Sequence, residues 1–218
     1  MFTGIVEEMG RIRSIRRGSQ SCSLSITAKV VLEGTQIGDS ICTNGVCLTV
    51  TKLFEDGFEV DVMPETMRKS NLQELMVGSS VHLERAATLS SLLGGHLVSG
   101  HIDGVGTICK IQQEENATWL TIRAESSLLK YMIYKGSIAI DGVSLTIAEV
   151  GYQDFKISLI PHTCQKTHLL HKQLGDTVNL ECDVIGKYVE RFLTGEQKME
   201  VSHEETISKA FLAEHCFL

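Results

Sequence analysis

The sequence predicts a mainly β protein, built as two tandem copies of one small closed barrel followed by a C-terminal α-helical segment. Three observations predict it: a long internal repeat, tight-turn dipeptides flanked by alternating segments, and an apolar helical stripe confined to the end of the chain. The repeat governs the rest. Displaced by 97 positions, residues 40–84 fall on 137–181 without a gap, and 15 of the 45 pairs are identical. They include Ser40/Ser137, Gly45/Gly142, Leu48/Leu145, Thr49/Thr146, Phe58/Phe155, Thr66/Thr163, Gly78/Gly175 and Glu84/Glu181. The two prolines of the chain, Pro64 and Pro161, are also 97 apart. At a displacement of 96, Gly4-Ile5-Val6 with Gly10 recurs as Gly100-His101-Ile102 with Gly106. The expected division is therefore a first domain over 1–96, a second over 97–183, and a helix with a tail over 184–218.

Each copy reads as β structure. Asn44-Gly45 and Asp141-Gly142 are tight-turn dipeptides, because Gly, Asn and Asp tolerate positive φ at little cost. Alternating segments follow them, Cys47–Thr51 and Ser144–Ile147, as expected for strands with one buried face. Further strands are expected over Gly57–Met63, Ser80–Glu84, Trp119–Ala124, Asp154–Ile160 and Thr177–Cys182. Several short strands in under about 100 residues suit a small closed barrel; pattern alone leaves two sandwich-like sheets as the alternative. Short helices are expected near Thr66–Glu74, Leu89–Leu93 and Ser126–Tyr131. At the end, Val184, Ile185, Tyr188, Val189, Phe192 and Leu193 form a helical stripe. Ser202-x-x-Glu205 is a capping box for a second helix. A stripe like this ordinarily packs on its own domain, but here it follows two complete repeats, which favours self-association through it.

Composition narrows the function. The 218 residues are 43% hydrophobic and 22% charged, ordinary for a soluble globular chain. A formal net charge of -7 gives no electrostatic reason to approach a polyanion, so nucleic acid is not an expected partner. No apolar run approaches membrane-spanning length, and Met1-Phe2-Thr3-Gly4 does not open a signal peptide. Seven cysteines at irregular spacing contain no Cys-x-x-Cys pair, so neither a zinc site nor a disulfide framework is indicated. The expected compartment is the cytoplasm, with thiols reduced. His82, His162, His168, His171, His203 and His215 show no metal-ligand spacing and are read as solvated or structural; no metal is expected.

Five segments then carry a resemblance. Met1-Phe2-Thr3-Gly4-Ile5-Val6-Glu7-Glu8, Asn44-Gly45-Val46-Cys47-Leu48-Thr49-Val50, Gly94–Gly104, Lys135–Thr146 and Gly186-Lys187-Tyr188-Val189-Glu190-Arg191 occur in this order. Together they resemble the riboflavin synthase family, from Met1 to about Leu193. The resemblance implies two similar six-stranded barrels and a C-terminal helix, assembled as a homotrimer around the helices with sites between subunits. It implies that two molecules of 6,7-dimethyl-8-ribityllumazine give riboflavin and 5-amino-6-ribitylaminouracil, with no separate redox or metal cofactor. Lumazine synthase is the further protein partner it suggests.

The same resemblance carries pocket roles to Gly4, Ile5, Val6, Cys47, Leu48, Thr49, Asp61, Val62, Met63, Pro64, Glu65, Thr66, Gly100, His101 and Ile102 for the first barrel. For the second it carries them to Lys135, Ser144, Leu145, Thr146, Ser158, Leu159, Ile160, Pro161, His162 and Thr163. Leu48, Val62 and Ile160 are equally readable as plain core. Differences between the copies are where reactant roles can separate: Cys47 faces Ser144, Asn44 faces Asp141, and His101 faces Gly4 or Ile5 according to the displacement used. His101 is assigned proton transfer, because an imidazole titrates near neutrality. Ser40 and Cys47 are assigned ring contact or help in nucleophilic addition, although a cysteine in a strand is ordinarily a small hydrophobe. Lys135 and Asp183 are weaker candidates, readable also as surface ion pairs.

Two rival functions remain. One is a non-catalytic lumazine- or flavin-binding protein of the same fold, which needs a single good pocket; the polar groups kept in both halves argue against it. The other is a flavin-dependent reductase domain, disfavoured because no dinucleotide-binding glycine fingerprint follows a strand.

Overall fold

A computed structural model describes residues 1–18, 22–115 and 117–194, leaving the side chains at 162, 164 and 165 outside the description. The capping box at Ser202 and Glu205 falls outside the described residues. The first barrel consists of β1 (Glu8–Arg17), β2 (Cys22–Thr27), β3 (Ser40–Thr43), β4 (Val46–Phe54), β5 (Gly57–Val62) and β6 (Ser80–Arg85). The second consists of β7 (Gly104–Glu114), β8 (Ala117–Arg123), β9 (Ser137–Ile140), β10 (Val143–Val150), β11 (Asp154–Leu159) and β12 (Thr177–Cys182). Both are closed, antiparallel and of one topology, β1-β2-β5-β4-β3-β6 and its copy six strands later. Closure comes from β1 on β6, with Glu8 opposite Leu83, and β7 on β12, with Thr107 opposite Thr177. That closure removes the sandwich alternative and leaves no sheet edge to template aggregation.

The alternation that marks the strands also fills the barrels. Along β4 the buried residues Val46, Leu48 and Val50 alternate with Cys47 and Thr49, which stand outside. Phe58 and Phe155, one repeat apart, are both fully buried among Ile, Leu and Val. β1, β2, β3, β7 and β9 escaped the sequence pattern. β1 carries four arginines on its outer side, and much of β7 is exposed, so neither offers a clean apolar alternation.

The helices follow local chemistry. α1 (Pro64–Lys69) and α3 (Pro161–Lys166) each begin with proline at the first helical position, where a missing N–H costs nothing. The helix expected over 66–74 breaks at Ser70. Its hydroxyl donates to the Thr66 carbonyl at 2.6 Å and accepts from the Leu72 N–H at 3.4 Å, and a 3₁₀ turn follows over Asn71–Glu74. α2 (Ser126–Leu129) is short. No helix forms over 89–93, where the Thr88 N–H donates to the Ser91 hydroxyl at 3.0 Å and Gly94-Gly95 follows.

Between the barrels lies a buried polar layer with near two-fold symmetry. The turn residues Asn44 and Asp141 adopt φ of 47° and 46°, and Gly45 packs on Gly142. Asn44 Oδ1 accepts from the His82 N–H at 2.8 Å, and Asp141 Oδ1 accepts from the Asn179 N–H at 2.7 Å. Across the interface, His82 Nε2 accepts from the His168 N–H at 2.9 Å, and Asn179 Oδ1 accepts from the Asn71 N–H at 2.7 Å. His82 must therefore carry its proton on Nδ1, which donates to the Asp141 carbonyl at 2.9 Å. The Asn44/Asp141 difference thus serves the joint between barrels, with both residues buried.

This layer makes stability depend on pH. Burial holds His82 well below the ordinary imidazole value of 6.5, and the neighbouring His168 ring adds to the effect. Burial also lowers His168, with Asp141 opposing. The unfolded chain takes up these protons near pH 6.5 and the folded chain resists them, so their contribution is complete above that value and declines as pH falls. The urea midpoint is expected to hold nearly level from pH 7.5 to about pH 6.5 and to drop from there to pH 5. A His82→Gln variant is expected to show a shallower decline.

α4 (Val184–Leu193) closes the described chain. Asp183 caps it, accepting from the Ile185 N–H at 3.0 Å. Its polar side is tied to the second barrel: Glu190 meets Lys130 at 2.7 Å and the Tyr131 hydroxyl, and Lys187 meets Asp103 at 2.6 Å. The apolar stripe consequently faces outward, with Phe192 79% and Leu193 82% exposed.

Candidate active site

Two short arms build the site, and each crosses to the other barrel. The first arm, residues 1–7, precedes β1, yet Gly4 accepts through its carbonyl from the Ser144 N–H of β10 at 2.8 Å. The second arm, residues 98–103, precedes β7, yet Gly100 accepts from the Cys47 N–H of β4 at 2.9 Å. The arms pair with one another through Phe2 and Val98, which exchange hydrogen bonds of 2.7 and 3.1 Å. Phe2 and Val98 are themselves repeat mates, so the pseudo-two-fold axis passes through their pairing. Val6 packs on the core of the second barrel and Ile102 on that of the first.

Glycine is required where the arms dock. Gly4 and Gly100 hold φ of 77° and 81°, in the left-handed region. A Cβ on Gly4 would lie 2.6 Å from Ser144 Cβ, and one on Gly100 would lie 2.5 Å from Cys47 Cβ. The docking also settles the displacement, since Gly4 matches Gly100. His101 is therefore the counterpart of Ile5, and Ile102 of Val6.

By their place in the fold, the expected pocket residues form two candidate half-sites. The first comprises Cys47 and Thr49 on β4, Asp61 on β5, Met63 with the start of α1 at Pro64–Thr66, and the arm Gly100-His101-Ile102, joined to β4 through the bond from Cys47 to Gly100. The second comprises Ser144 and Thr146 on β10, Ser158 on β11, Ile160 with the start of α3 at Pro161–Thr163, and the arm Gly4-Ile5-Val6, joined to β10 through the bond from Ser144 to Gly4. The first arm thus stands on the second barrel, although its residues were expected beside Cys47. Leu48, Val62, Leu145 and Leu159 are buried and belong to the cores. Ile160 does not: it is 59% exposed, as its repeat mate Met63 is 71% exposed. Thr49 and Thr146 are exposed as well, so both half-sites are open surfaces.

The candidate catalytic residues separate. Cys47 is half-buried beneath the second arm, and His101 is exposed on it, its N–H donating to Ser99 Oγ at 3.3 Å. Ser40 opposes Thr49 across β3 and β4 and lines a cleft of about 890 Å³ with Thr3, Ile5, Glu84 and residues of the linker after β6. Lys135 occupies a left-handed turn at φ 61°, its ammonium 5.4 Å from the Tyr134 ring. The side chain of His162 is not described.

Sequence reasoning missed His96. It is buried, and its Nδ1 lies 2.7 Å from Ser144 Oγ. Burial lowers its pKa, opposed by the Asp183 and Glu181 carboxylates, so the imidazole is neutral at pH 7 and able to accept a proton. Nε2 is buried and has no hydrogen-bond partner among the described residues. The pair sets a histidine beside a serine, the kind of pairing the sequence suggests at His101. Residues 96 and 144 are far apart in sequence, and the first arm brings them together: the His96 N–H donates to the Thr3 carbonyl at 3.1 Å and the Ser144 N–H to the Gly4 carbonyl at 2.8 Å.

Comparison with known proteins agrees with this geometry. The lumazine binding domain family matches twice, over residues 3–86 and 99–183. Riboflavin synthase of Bacillus subtilis is 46% identical over 217 residues, covering 100% of both chains. That of Actinobacillus pleuropneumoniae is 47% identical, covering 88% of this chain and 90% of its own. Among solved structures, LumP complexed with riboflavin superposes with a TM-score of 0.78 at 30% identity, covering 84% of this chain and 99% of that one. LumP complexed with 6,7-dimethyl-8-(1'-D-ribityl) lumazine superposes at 0.76 and 28% identity over the same shares. Twin barrels with crossed arms, each barrel matching the lumazine binding domain, therefore define a protein of paired lumazine-binding repeats. More particularly, the chain belongs to the riboflavin synthase family and is an enzyme of riboflavin biosynthesis, a transferase acting on a small molecule. Among the described residues no helix is long and apolar enough to cross a membrane, and no cluster of metal-binding side chains occurs.

Proposed function

We propose that the chain joins two molecules of 6,7-dimethyl-8-ribityllumazine, one in each kind of half-site, with four-carbon transfer giving riboflavin and 5-amino-6-ribitylaminouracil. The observation that carries this is the duplication of the half-site itself: the same strands, helix starts and arm glycines occur twice on one chain, and both copies are open. An open half-site holds one face of a planar ring and leaves the other for a second reactant. The first half-site of one subunit then meets the second half-site of a neighbour in a homotrimer gathered around α4, whose apolar stripe faces outward. Lumazine synthase is a further partner consistent with this role, and the cytoplasm the compartment where its substrate is made.

Holding both reactants makes the encounter effectively unimolecular, worth about 7–11 kcal/mol of barrier in good cases. The chemistry starts when the C7 methyl of one lumazine loses a proton and a nucleophile adds to the other. His96, neutral and joined to Ser144, accepts or relays a proton in one half-site. Cys47 occupies the Ser144 position in the other, with His101 exposed on the arm beside it and Ser40 on the adjacent strand. Backbone N–H groups and hydroxyls suit the transient anion because they are fixed before the charge develops.

The test is direct. Purified protein given the lumazine alone is expected to yield riboflavin and the pyrimidine in equal amounts, with no added cofactor. Tight lumazine binding without turnover would instead establish the non-catalytic binding reading.

A further inference from the structure

The arms are held by a pair of carboxylates to which the chemistry above assigns no part. Glu84, on β6 of the first barrel, accepts from the Thr3 N–H at 2.6 Å and the Thr3 hydroxyl at 2.7 Å through Oε1, and from the Gly4 N–H at 3.0 Å through Oε2. Glu181, on β12 of the second barrel, accepts from the Ser99 N–H at 2.6 Å and the Ser99 hydroxyl at 2.7 Å through Oε1, and from the Gly100 N–H at 2.9 Å through Oε2. In both arms the same hydroxyl accepts the next N–H at 3.3 Å, Ile5 on Thr3 and His101 on Ser99. Both carboxylates are buried. Two four-bond networks this alike, one repeat apart, do more than fill space.

We propose that Glu84 and Glu181 are crossed positioning residues: each carboxylate, rooted in one barrel, sets the arm that completes the half-site of the other. Glu84 belongs to the first barrel, but its arm carries Gly4 onto Ser144 and Val6 onto the second core. Glu181 belongs to the second barrel, but its arm carries Gly100 onto Cys47 and Ile102 onto the first core. Neither carboxylate hydrogen-bonds Cys47 or Ser144; each acts through two backbone N–H groups and one hydroxyl. A carboxylate is the group suited to this work, since three donors converge on it and it has none of its own. Burial pushes the Glu84 carboxyl upward in pKa while the three bonds oppose it, so the arm supplies what solvent would otherwise supply. In consequence neither half-site is the property of one barrel, and a disturbance in either barrel reaches the pocket of its twin. The positioning role rests on the proposed function of the half-sites, whereas the crossing rests on the bonds alone.

Amide exchange reads the crossing directly, because the Cys47 and Ser144 N–H groups donate to the two docked arms. A glutamine at either position retains one acceptor oxygen but turns an NH₂ toward the glycine N–H, breaking that bond. In the full-length protein, Glu181→Gln is expected to speed exchange at Cys47 about tenfold or more and leave Ser144 within about twofold. Glu84→Gln is expected to do the reverse, and both variants to lose kcat with smaller change in KM. Equal acceleration at both amides, or acceleration confined to the mutated barrel's own half-site, overturns the proposal. If either glutamine variant fails to fold, Ser99→Ala and Thr3→Ala remove only the hydroxyl bonds and are expected to show the same crossed pattern at smaller amplitude; an uncrossed pattern there overturns it equally. Turnover of lumazine by the unmodified protein separates the two ideas. Crossed exchange without turnover would remove the functional reading alone, and turnover with uncrossed exchange would remove the positioning role alone.

Discussion

Placing two lysines on the outward face of α4, as Tyr188→Lys with Phe192→Lys, is expected to cut riboflavin formation per chain on the order of a thousand-fold, because under the proposed assembly around α4 separated subunits would have to find each other at every turnover. The helix itself should survive. Lysine is a good helix former, and its charge near the C-terminal end opposes no part of the helix dipole. The ties of Glu190 to Lys130 and of Lys187 to Asp103 lie on the other side and are untouched. Assembly should not survive, since an ammonium buried without a partner costs more than a contact of this size returns. Tyr188 is 60% and Phe192 79% exposed in the single chain, and burying each in an assembly contributes about 1.5–3 kcal/mol. A thousand-fold loss is about 4 kcal/mol, within the roughly 7–11 kcal/mol that holding two reactants together is worth. Sedimentation should find monomers, and the rate should become second order in protein. Monomers that turn over at the parental rate would place both lumazines on one chain.

Gly100→Ala is expected to lower kcat/KM about a hundred-fold and to cost roughly 2–4 kcal/mol of stability, from left-handed strain together with overpacking. The strain arises at φ 81°, and the overpacking from a methyl 2.5 Å from Cys47 Cβ and 2.8 Å from Cys47 N. Backbone cannot yield as a long side chain can, so the second arm must lift from β4 and open the Cys47 half-site. Gly78→Ala is the matched control. It also holds a positive φ, 90°, but nothing lies within 4 Å of the added carbon. It should therefore cost only the strain, about 1–2 kcal/mol, and leave kcat/KM unchanged. Denaturant melts and steady-state kinetics on the two variants separate the effects. Equal loss of activity in both would mean that strain alone, and not the arm's contact with Cys47, is what the reaction feels.

The residues divide cleanly into those whose role is local and those whose role is not. The Asn44-Gly45 and Asp141-Gly142 turns, the alternation after each, Pro64 and Pro161 at helix starts, and the α4 stripe all express their meaning within a few residues. β1 and β7 do not, because their outer faces are polar and their inner faces are completed by strands distant in the chain. The helix expected at Leu89–Leu93 is a turn and irregular chain, since Ser91 hydrogen-bonds the backbone there. His96, proposed to move a proton, was invisible in the sequence for a related reason: its interest is its distance to Ser144, and no spacing rule contains that.

By itself the sequence determined that the chain is a doubled β unit with a helical end, and which residues stand in equivalent places. A repeat and a two-residue period are properties of one dimension, and they survive without coordinates. Only the tertiary structure decided which barrel each arm serves, because an arm's sequence neighbours pull it toward one barrel while its hydrogen bonds and apolar contacts lie on the other. Nothing in residues 1–7 or 98–103 records that exchange; it exists only where Gly4 meets Ser144 and Gly100 meets Cys47.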